Sequence, residues 1–170
     1  MDIFVEQLVK KKRDAKDFAI MIGGVAAAIL IVFLFTLVFN SALGFVMVIA
    51  VFALIYGLYY LITSLNLEYE YCFTNGALDV DKIVNLRKRQ RMTELNVREI
   101  DLMAKKTSPS FEKYLNNSAF KKVYACADKN SDDVYFVIYN ENGAQKMLLF
   151  SPNEQIKEGF KKFNPQKVEL

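Results

Sequence analysis

Basic side chains crowd one short stretch of the sequence. The run LRKRQR holds four of them, Arg87, Lys88, Arg89 and Arg91. In a β-strand, a period of two would place Arg87, Arg89 and Arg91 on one face, where they could bind an anion. Near anionic lipid each would gain about 1 kcal/mol. The alternative is cross-strand ion pairing, worth roughly 0.2–1 kcal/mol per pair, with four nearby acids: Glu68, Glu70, Asp79 and Asp81.

Residues suited to catalysis or metal binding are few. The sequence has no histidine, which removes the commonest general base and metal ligand. Its two cysteines, Cys72 and Cys126, lack a CxxC spacing, so we expect no zinc site and favour reduced thiols over a disulfide. The acidic stretch DKNSDD, with Asp132 and Asp133, lacks the glycine and terminal glutamate of an EF-hand loop and is typical of a solvated turn. We therefore predict no catalytic residue, no metal and no cofactor.

Nucleic-acid binding is also disfavoured. The net charge is only +3, and basic residues alternate with acids through most of the second half of the chain. The basic run has no neighbouring aromatic platform on which bases could stack.

The elements that would position these groups begin with strands of period two. Leu67, Tyr69, Tyr71 and Phe73 line one face of the first strand. The Asn-Gly turns of TNG and ENG indicate two hairpins, and KKTSPSFEKYLNNS indicates a loop with one helical turn. The run DVYFVIYN is apolar on both faces and predicts a central strand. The other strand-like runs are ALDVDKIV, LRKRQRMTEL, VREIDLMA, AFKKVYACA and AQKMLLF.

The end of the chain carries a helix signal. In SPNEQIKEGFKKF, Ser151 is predicted as the N-cap, with Pro152 at the first helical position and Glu154 completing a capping box. An apolar stripe follows at i, i+4 and i+7. Residues 65–163 thus predict about seven short antiparallel strands closed by one amphipathic helix, and residues 164–170 a tail.

Two long apolar stretches precede this domain. No Asp, Glu, Lys or Arg occurs from Phe18 to Leu67. Residues 18–39 and 42–62 are each long enough to cross a bilayer as a helix, and only Asn40 and Ser41 separate them, so residues 18–64 predict a transmembrane hairpin. Small residues at four-residue spacing in both spans either pack the two helices together or form a dimer interface.

Basic residues predict the orientation of this hairpin. Five of them lie just before the first span, and the turn between the spans has none. The positive-inside rule then places both chain termini in the cytoplasm of a multi-pass membrane protein. Residues 1–17 also carry an apolar stripe that predicts a short amphipathic juxtamembrane helix, which would either lie on the inner leaflet or pack on the rest of the protein. The orienting residues are Lys10, Lys11, Lys12, Arg13 and Lys16.

This order of elements resembles the pleckstrin-homology-like (PH-like) fold between Leu67 and Phe163. Two spans followed by YEYCFTNGALDV, LRKRQR and VREI are similar to bacterial membrane proteins with a PH-like domain, and to a family of small uncharacterised two-span proteins. LNVREI stands where that family has a short motif ending in isoleucine. The resemblance implies a membrane-tethered β-sandwich or barrel with a capping helix, and it brings no catalytic residues.

Two functions are compatible with these observations. The first is an interaction module that a membrane hairpin holds at the cytoplasmic face, where it binds a protein partner or a second copy of itself. The alternative is a sensor of anionic lipid or of the membrane surface, which would use the basic run and the cluster before the first span. A purely structural role in a larger membrane complex is a third option.

Overall fold

The computed structural model describes residues 2–38 and 44–170, which form two compact units. One unit is Arg13–Asn66. The other joins the residues up to Lys12 with Leu67–Leu170. The predicted α+β architecture, with two long apolar helices ahead of a β-rich domain and its C-terminal helix, is confirmed.

The first unit consists of helices α1 (Ala15–Val38) and α2 (Gly44–Ser64), both long and apolar enough to cross a membrane. The side chain of Asp17 caps the start of α1 by accepting a hydrogen bond from the Asp14 N–H at 2.9 Å. The two helices pack against each other at Gly24, where a Cβ would lie 3.4 Å from Leu58, an ordinary van der Waals contact. The turn predicted at Asn40 and Ser41 lies outside the described residues.

The second unit begins with an antiparallel sheet, sheet A, in the order β1-β2-β3-β4. Its outer edge, β1, pairs with β2 over seven consecutive residues although α1 and α2 separate them in sequence. The strands are β1 (Phe4–Lys10), β2 (Leu67–Thr74), β3 (Ala77–Val84) and β4 (Lys88–Asn96).

The helix predicted within residues 1–17 is therefore wrong, because residues 4–10 form a strand of the domain. The apolar residues of this segment fit the two-residue repeat of a strand as well as they fit the stripe of a helix. Phe4 and Leu8 point outward with Glu6, whereas Val5 and Val9 pack against the core. The domain boundary predicted at residue 65 moves accordingly, since the domain also includes this strand.

A second sheet, sheet B, has the order β5-β7-β8-β6. The central position predicted for DVYFVIYN is confirmed by β7. Residues 65–163 contain seven strands, as predicted, and β1 adds an eighth within the described residues. The expectation that all the pairing is antiparallel is wrong, because β6 pairs with β8 in parallel. The strands are β5 (Leu102–Lys105), β6 (Lys121–Ala125), β7 (Tyr135–Glu141) and β8 (Ala144–Phe150).

The two sheets and the C-terminal helix α4 (Glu154–Phe163) enclose the main core. Phe73 of β2 packs against Phe160 and Phe163 of α4, with ring centroids 5.7 and 6.0 Å apart. Gly159 permits this contact, because a Cβ there would lie 2.6 Å from the Phe73 ring. A smaller cluster contains Phe111 of the short helix α3 (Ser110–Leu115), which forms where one helical turn was predicted.

The ends of α4 differ from the prediction. Its N-cap is Asn153, whose side chain accepts a hydrogen bond from the Ile156 N–H at 2.9 Å, instead of Ser151. The Ser151 backbone N–H instead donates to the Tyr71 hydroxyl of β2 at 3.2 Å, which holds Ser151 outside the helix. The segment after α4 is no loose tail, because Val168 is buried and bridges to Met103 at the edge of sheet B.

Candidate functional site

The basic run lies at one end of sheet A, partly in a turn and partly on β4. Arg89 and Arg91 share the outward face of the strand, with Ile83 and Asp81 as their direct partners on β3. Arg87 is not on this face, because it belongs to the turn between β3 and β4. A bulge between Val80 and Asp81 sets this register.

Arg89 reaches across β3 to an acid on β2. Its Nη2 donates a hydrogen bond to Glu70 Oε1 at 2.7 Å and lies 2.6 Å from the second carboxylate oxygen. Its Nε is 3.9 Å from Asp81 Oδ2. Glu70 is only 6% exposed, so the guanidinium compensates a carboxylate that has lost most of its water.

Arg91 is similarly occupied. Its Nη1 donates to Glu94 Oε2 at 2.9 Å, and its Nη2 and Nε lie 3.6 and 3.9 Å from Asp79 and Asp81. The cross-strand ion pairs that the sequence offered as the alternative to anion binding therefore form, with the acids of β2 and β3 as partners. These pairs leave Arg89 and Arg91 little charge to offer an external anion.

Carboxylates outnumber the two arginines on this face. Burial is the main cause that raises the pKa of Glu70, a hydrogen bond with Glu6 of β1 raises it further, and the charge of Arg89 opposes both. Burial also raises the pKa of Asp79, again against the effect of Arg91. Within the described residues, no hydrogen-bond donor reaches Asp79 Oδ1 or Asp81 Oδ1. The centre of the outward face is thus a partly compensated acidic cluster.

Arg87 and Lys88 differ from the other two basic residues. Both side chains are exposed. Among the residues that the structure describes, no carboxylate comes within 4.0 Å of either side chain. They follow Leu86, which is 75% exposed at the tip of the same turn. Their cationic groups therefore remain available to an external anion.

The basic cluster before α1 is divided between the two units. Lys10 ends β1 on the outward face, and the Lys11 N–H donates to the Leu67 carbonyl at 2.9 Å. Lys12 lies in the same unit, where its Nζ is 3.7 Å from Asp128. In the helical unit, Arg13 donates to the Asn66 side chain at 3.0 Å, and Lys16 is exposed on α1.

The remaining candidates are the acidic stretch DKNSDD and the two cysteines. Asp128 Oδ1 accepts a hydrogen bond from the Asn130 N–H at 2.9 Å, as expected for a solvated turn at DKNSDD. Within residues 2–38 and 44–170, no group of three or more acidic or cysteine side chains could hold a metal ion. Both cysteines are free, and burial raises the pKa of the Cys126 thiol.

Sequence reasoning missed two features of this region. The sequence-based prediction placed Leu86 at the start of a strand. Leu86 is instead in a turn, and Asn85 before it corresponds to the asparagine that begins each of the two recognised turns. The prediction also missed the outward-facing Phe4 and Leu8, which are 65% and 60% exposed, because residues 4–10 were assigned to a helix.

Comparison with known proteins links the whole chain to one family. A family model described as a bacterial PH-like domain (DUF6106) matches residues 1–170. No curated protein and no solved structure matches the chain.

Proposed function

The chain belongs to the bacterial PH-like domain family, and from this we propose that it is a non-catalytic module anchored by α1 and α2. In this proposal its PH-like domain binds a protein partner at the cytoplasmic face of the membrane. PH-like domains are generally non-catalytic.

The observation that carries the proposal is the double connection between the domain and its helices. The chain leaves the domain after β1 and re-enters it at β2, and all seven residues of β1 pair with β2. Only residues 65 and 66 separate α2 from β2. Attachment through two adjacent strands suits a module that presents a fixed surface. Attachment through one long flexible linker would not.

Membrane anchoring is supported by the length and apolar character of both helices. The basic residues Lys10–Arg13 precede the first helix and Lys16 lies in its first turn, which favours a cytoplasmic domain and cytoplasmic termini. A reporter fused after Leu170 tests this orientation. Activity of a cytoplasmic reporter, with inactivity of one that needs the outside of the cell, is the expected result.

The outward face of β1 is the surface that we propose for the partner. Phe4 and Leu8 are exposed on this edge strand, with Glu6 between them and Glu70 directly beside Leu8 on β2. Two exposed apolar side chains next to incompletely compensated acids fit a partner surface that combines apolar and basic side chains.

The test is photo-cross-linking in intact cells. A photoreactive amino acid at Leu8 should give a protein adduct of one defined mass, and replacing Phe4 by serine should weaken it. The matched control is Gln145, which is exposed on sheet B and should give no such adduct. An adduct of twice the chain's mass would identify a second copy as the partner. Equal labelling from both positions, or none from Leu8, would refute this surface.

A further inference from the structure

Three tight turns of the PH-like domain each have positive φ at two consecutive residues, but the residue types differ. In each turn both central residues have positive φ, which is the geometry of the tight hairpin turns that favour Asn-Gly. Two turns follow this preference, with φ of 50° and 94° at Asn75-Gly76 and of 54° and 80° at Asn142-Gly143. The third turn, between β3 and β4, has Asn85 at 51° and Leu86 at 56°.

Leucine is unfavourable at this position. Its Cβ crowds the backbone when φ is positive, whereas glycine has no such penalty. Packing does not compensate the strain, because Leu86 is 75% exposed. The folded domain therefore gains neither conformational nor packing stability from this side chain. Strain that the fold does not need is a sign of a functional constraint.

The charge around Leu86 indicates what it could contact. Between Lys82 and Arg91 the sequence has five basic residues and no acid. Arg89 and Arg91 are engaged with acids of sheet A, whereas Arg87 and Lys88 beside Leu86 are exposed and free of ion pairs among the described residues. An exposed apolar tip next to available cations is complementary to an anionic bilayer, which has phosphates above hydrocarbon.

The position of the turn agrees with this chemistry. Val84, the last residue of β3, pairs with Leu67, the first residue of β2, and Lys11 is hydrogen-bonded to Leu67. The turn thus lies at the end of sheet A from which the chain continues into both apolar helices. Residues 65 and 66, which connect Ser64 to Leu67, span at most about 10 Å. A bilayer crossed by α2 is therefore within reach of this end of the sheet.

We propose that the tip Asn85–Lys88 inserts the Leu86 side chain into the anionic leaflet, where Arg87 and Lys88 bind lipid phosphates. This inference rests on the part of the proposed function in which α1 and α2 cross the membrane. It assigns lipid contact to the turn and not to Arg89 and Arg91, whose charges stabilise sheet A.

The absence of tryptophan from the chain makes the test simple. Full-length protein carrying Leu86→Trp is placed in nanodiscs of brominated lipid, which quenches tryptophan at the depth of the acyl chains. One set of discs contains phosphatidylcholine alone, and the other contains added phosphatidylglycerol. We expect strong quenching in the anionic discs that weakens in high salt, and little quenching in the neutral discs.

Two further tryptophans provide controls. Asn142→Trp occupies another turn with positive φ, near Ala77 and Asn96 at the far ends of β3 and β4, and should stay unquenched. Phe52→Trp lies within α2 and should be quenched in both kinds of disc. Quenching at position 52 without quenching at 86 overturns the inference and leaves the anchoring helices in place. No quenching at 52 overturns the anchoring itself, and the inference with it.

Charge is tested in the Leu86→Trp background. Arg87→Gln with Lys88→Gln should lower the equilibrium constant for insertion by about 30-fold, since each cation near an anionic surface contributes about five-fold. Lys121→Gln with Lys162→Gln removes the same charge from exposed residues elsewhere and should change nothing. Equal quenching in neutral and anionic discs, unaffected by the first pair, would refute anionic recognition.

A second measurement needs no tryptophan. The thermal midpoint of the wild-type domain should be higher in anionic than in neutral discs, because lipid binds the folded turn. Leu86→Gly should reduce this difference, because the apolar contact is lost while Arg87 and Lys88 remain, and it should keep the midpoint in neutral discs at or above that of the wild type. A difference that Leu86→Gly leaves unchanged would contradict the proposal.

Discussion

Replacing Gly159 by alanine tests how closely α4 packs on sheet A. A Cβ at this position would lie 2.6 Å from Phe73 Cε1 and 2.8 Å from Cζ, where ordinary contacts are 3.4–4 Å. The ring must therefore move by about 1 Å. It is fully buried and already contacts Phe160 and Phe163, so it has little room to do so.

Two effects of the substitution oppose each other. Overpacking of a core costs about 1–3 kcal/mol, and so close an approach to a fixed ring favours the upper end of this range. Alanine regains about 1 kcal/mol of helix propensity over glycine. We therefore expect the free energy of unfolding to fall by about 1–2 kcal/mol, which lowers the thermal midpoint by roughly 5–10 °C for a domain of this size.

The assay is thermal unfolding of the full-length protein in detergent, followed by the near-ultraviolet circular dichroism of its tyrosines. Glu158→Ala, on the exposed side of the same helix, is the control and should change the midpoint little. Phe73→Leu makes room for the new methyl group, so the double variant should be more stable than the sum of the single effects predicts. A stabilising Gly159→Ala, or strict additivity with Phe73→Leu, would refute the packing argument.

Two further predictions concern the charged face of sheet A. Arg89→Ala should lower the free energy of unfolding by about 1–2 kcal/mol, which is less than the loss of a fully buried ion pair would cost, because Arg89 is half-exposed. Arg87→Ala should change the free energy of unfolding by no more than about 0.5 kcal/mol. Equal losses for the two variants in denaturant titrations would contradict the ion-pair assignment. The pKa of Glu70 is raised above its ordinary 4.5, so the domain loses stability as the pH rises through that pKa. Glu6→Gln should reduce this loss and stabilise the domain by a few tenths of a kcal/mol near pH 7. A gain that persisted at a pH low enough to protonate Glu70 would contradict the coupling.

The elements with strong local signals were predictable from sequence. The apolar helices and the alternating strand β2 are marked by composition and period, and Asn75-Gly76 and Asn142-Gly143 by turn chemistry. β1 was not predictable in this way, because seven residues with a mixed apolar pattern fit both a helix and a strand. Its partner strand lies beyond both helices, so tertiary pairing decides its structure.

The charged face was predictable only in part. The acids of β2 and β3 were visible at the right period, and Arg89 and Arg91 pair with them. Arg87 was predicted on the same strand face, but it lies in a turn. That turn was not recognised because Asn85-Leu86 lacks the glycine that marks the other two turns. The parallel pairing of β6 with β8 depends on a crossover that no local pattern encodes.

The pairing of β1 with β2 also constrains how the chain is built. β1 is synthesised first, but it cannot complete its hydrogen bonds until both helices and β2 have followed it. If the helices cross a bilayer, the two strands meet only when the number of crossings is even. A chain in which one helix failed to insert would leave β1 and β2 on opposite sides of the membrane, with Val9 and Tyr69 unpaired. Under that condition, closure of sheet A depends on correct membrane topology, and we expect a wrongly inserted chain to expose an unfolded domain to proteolysis.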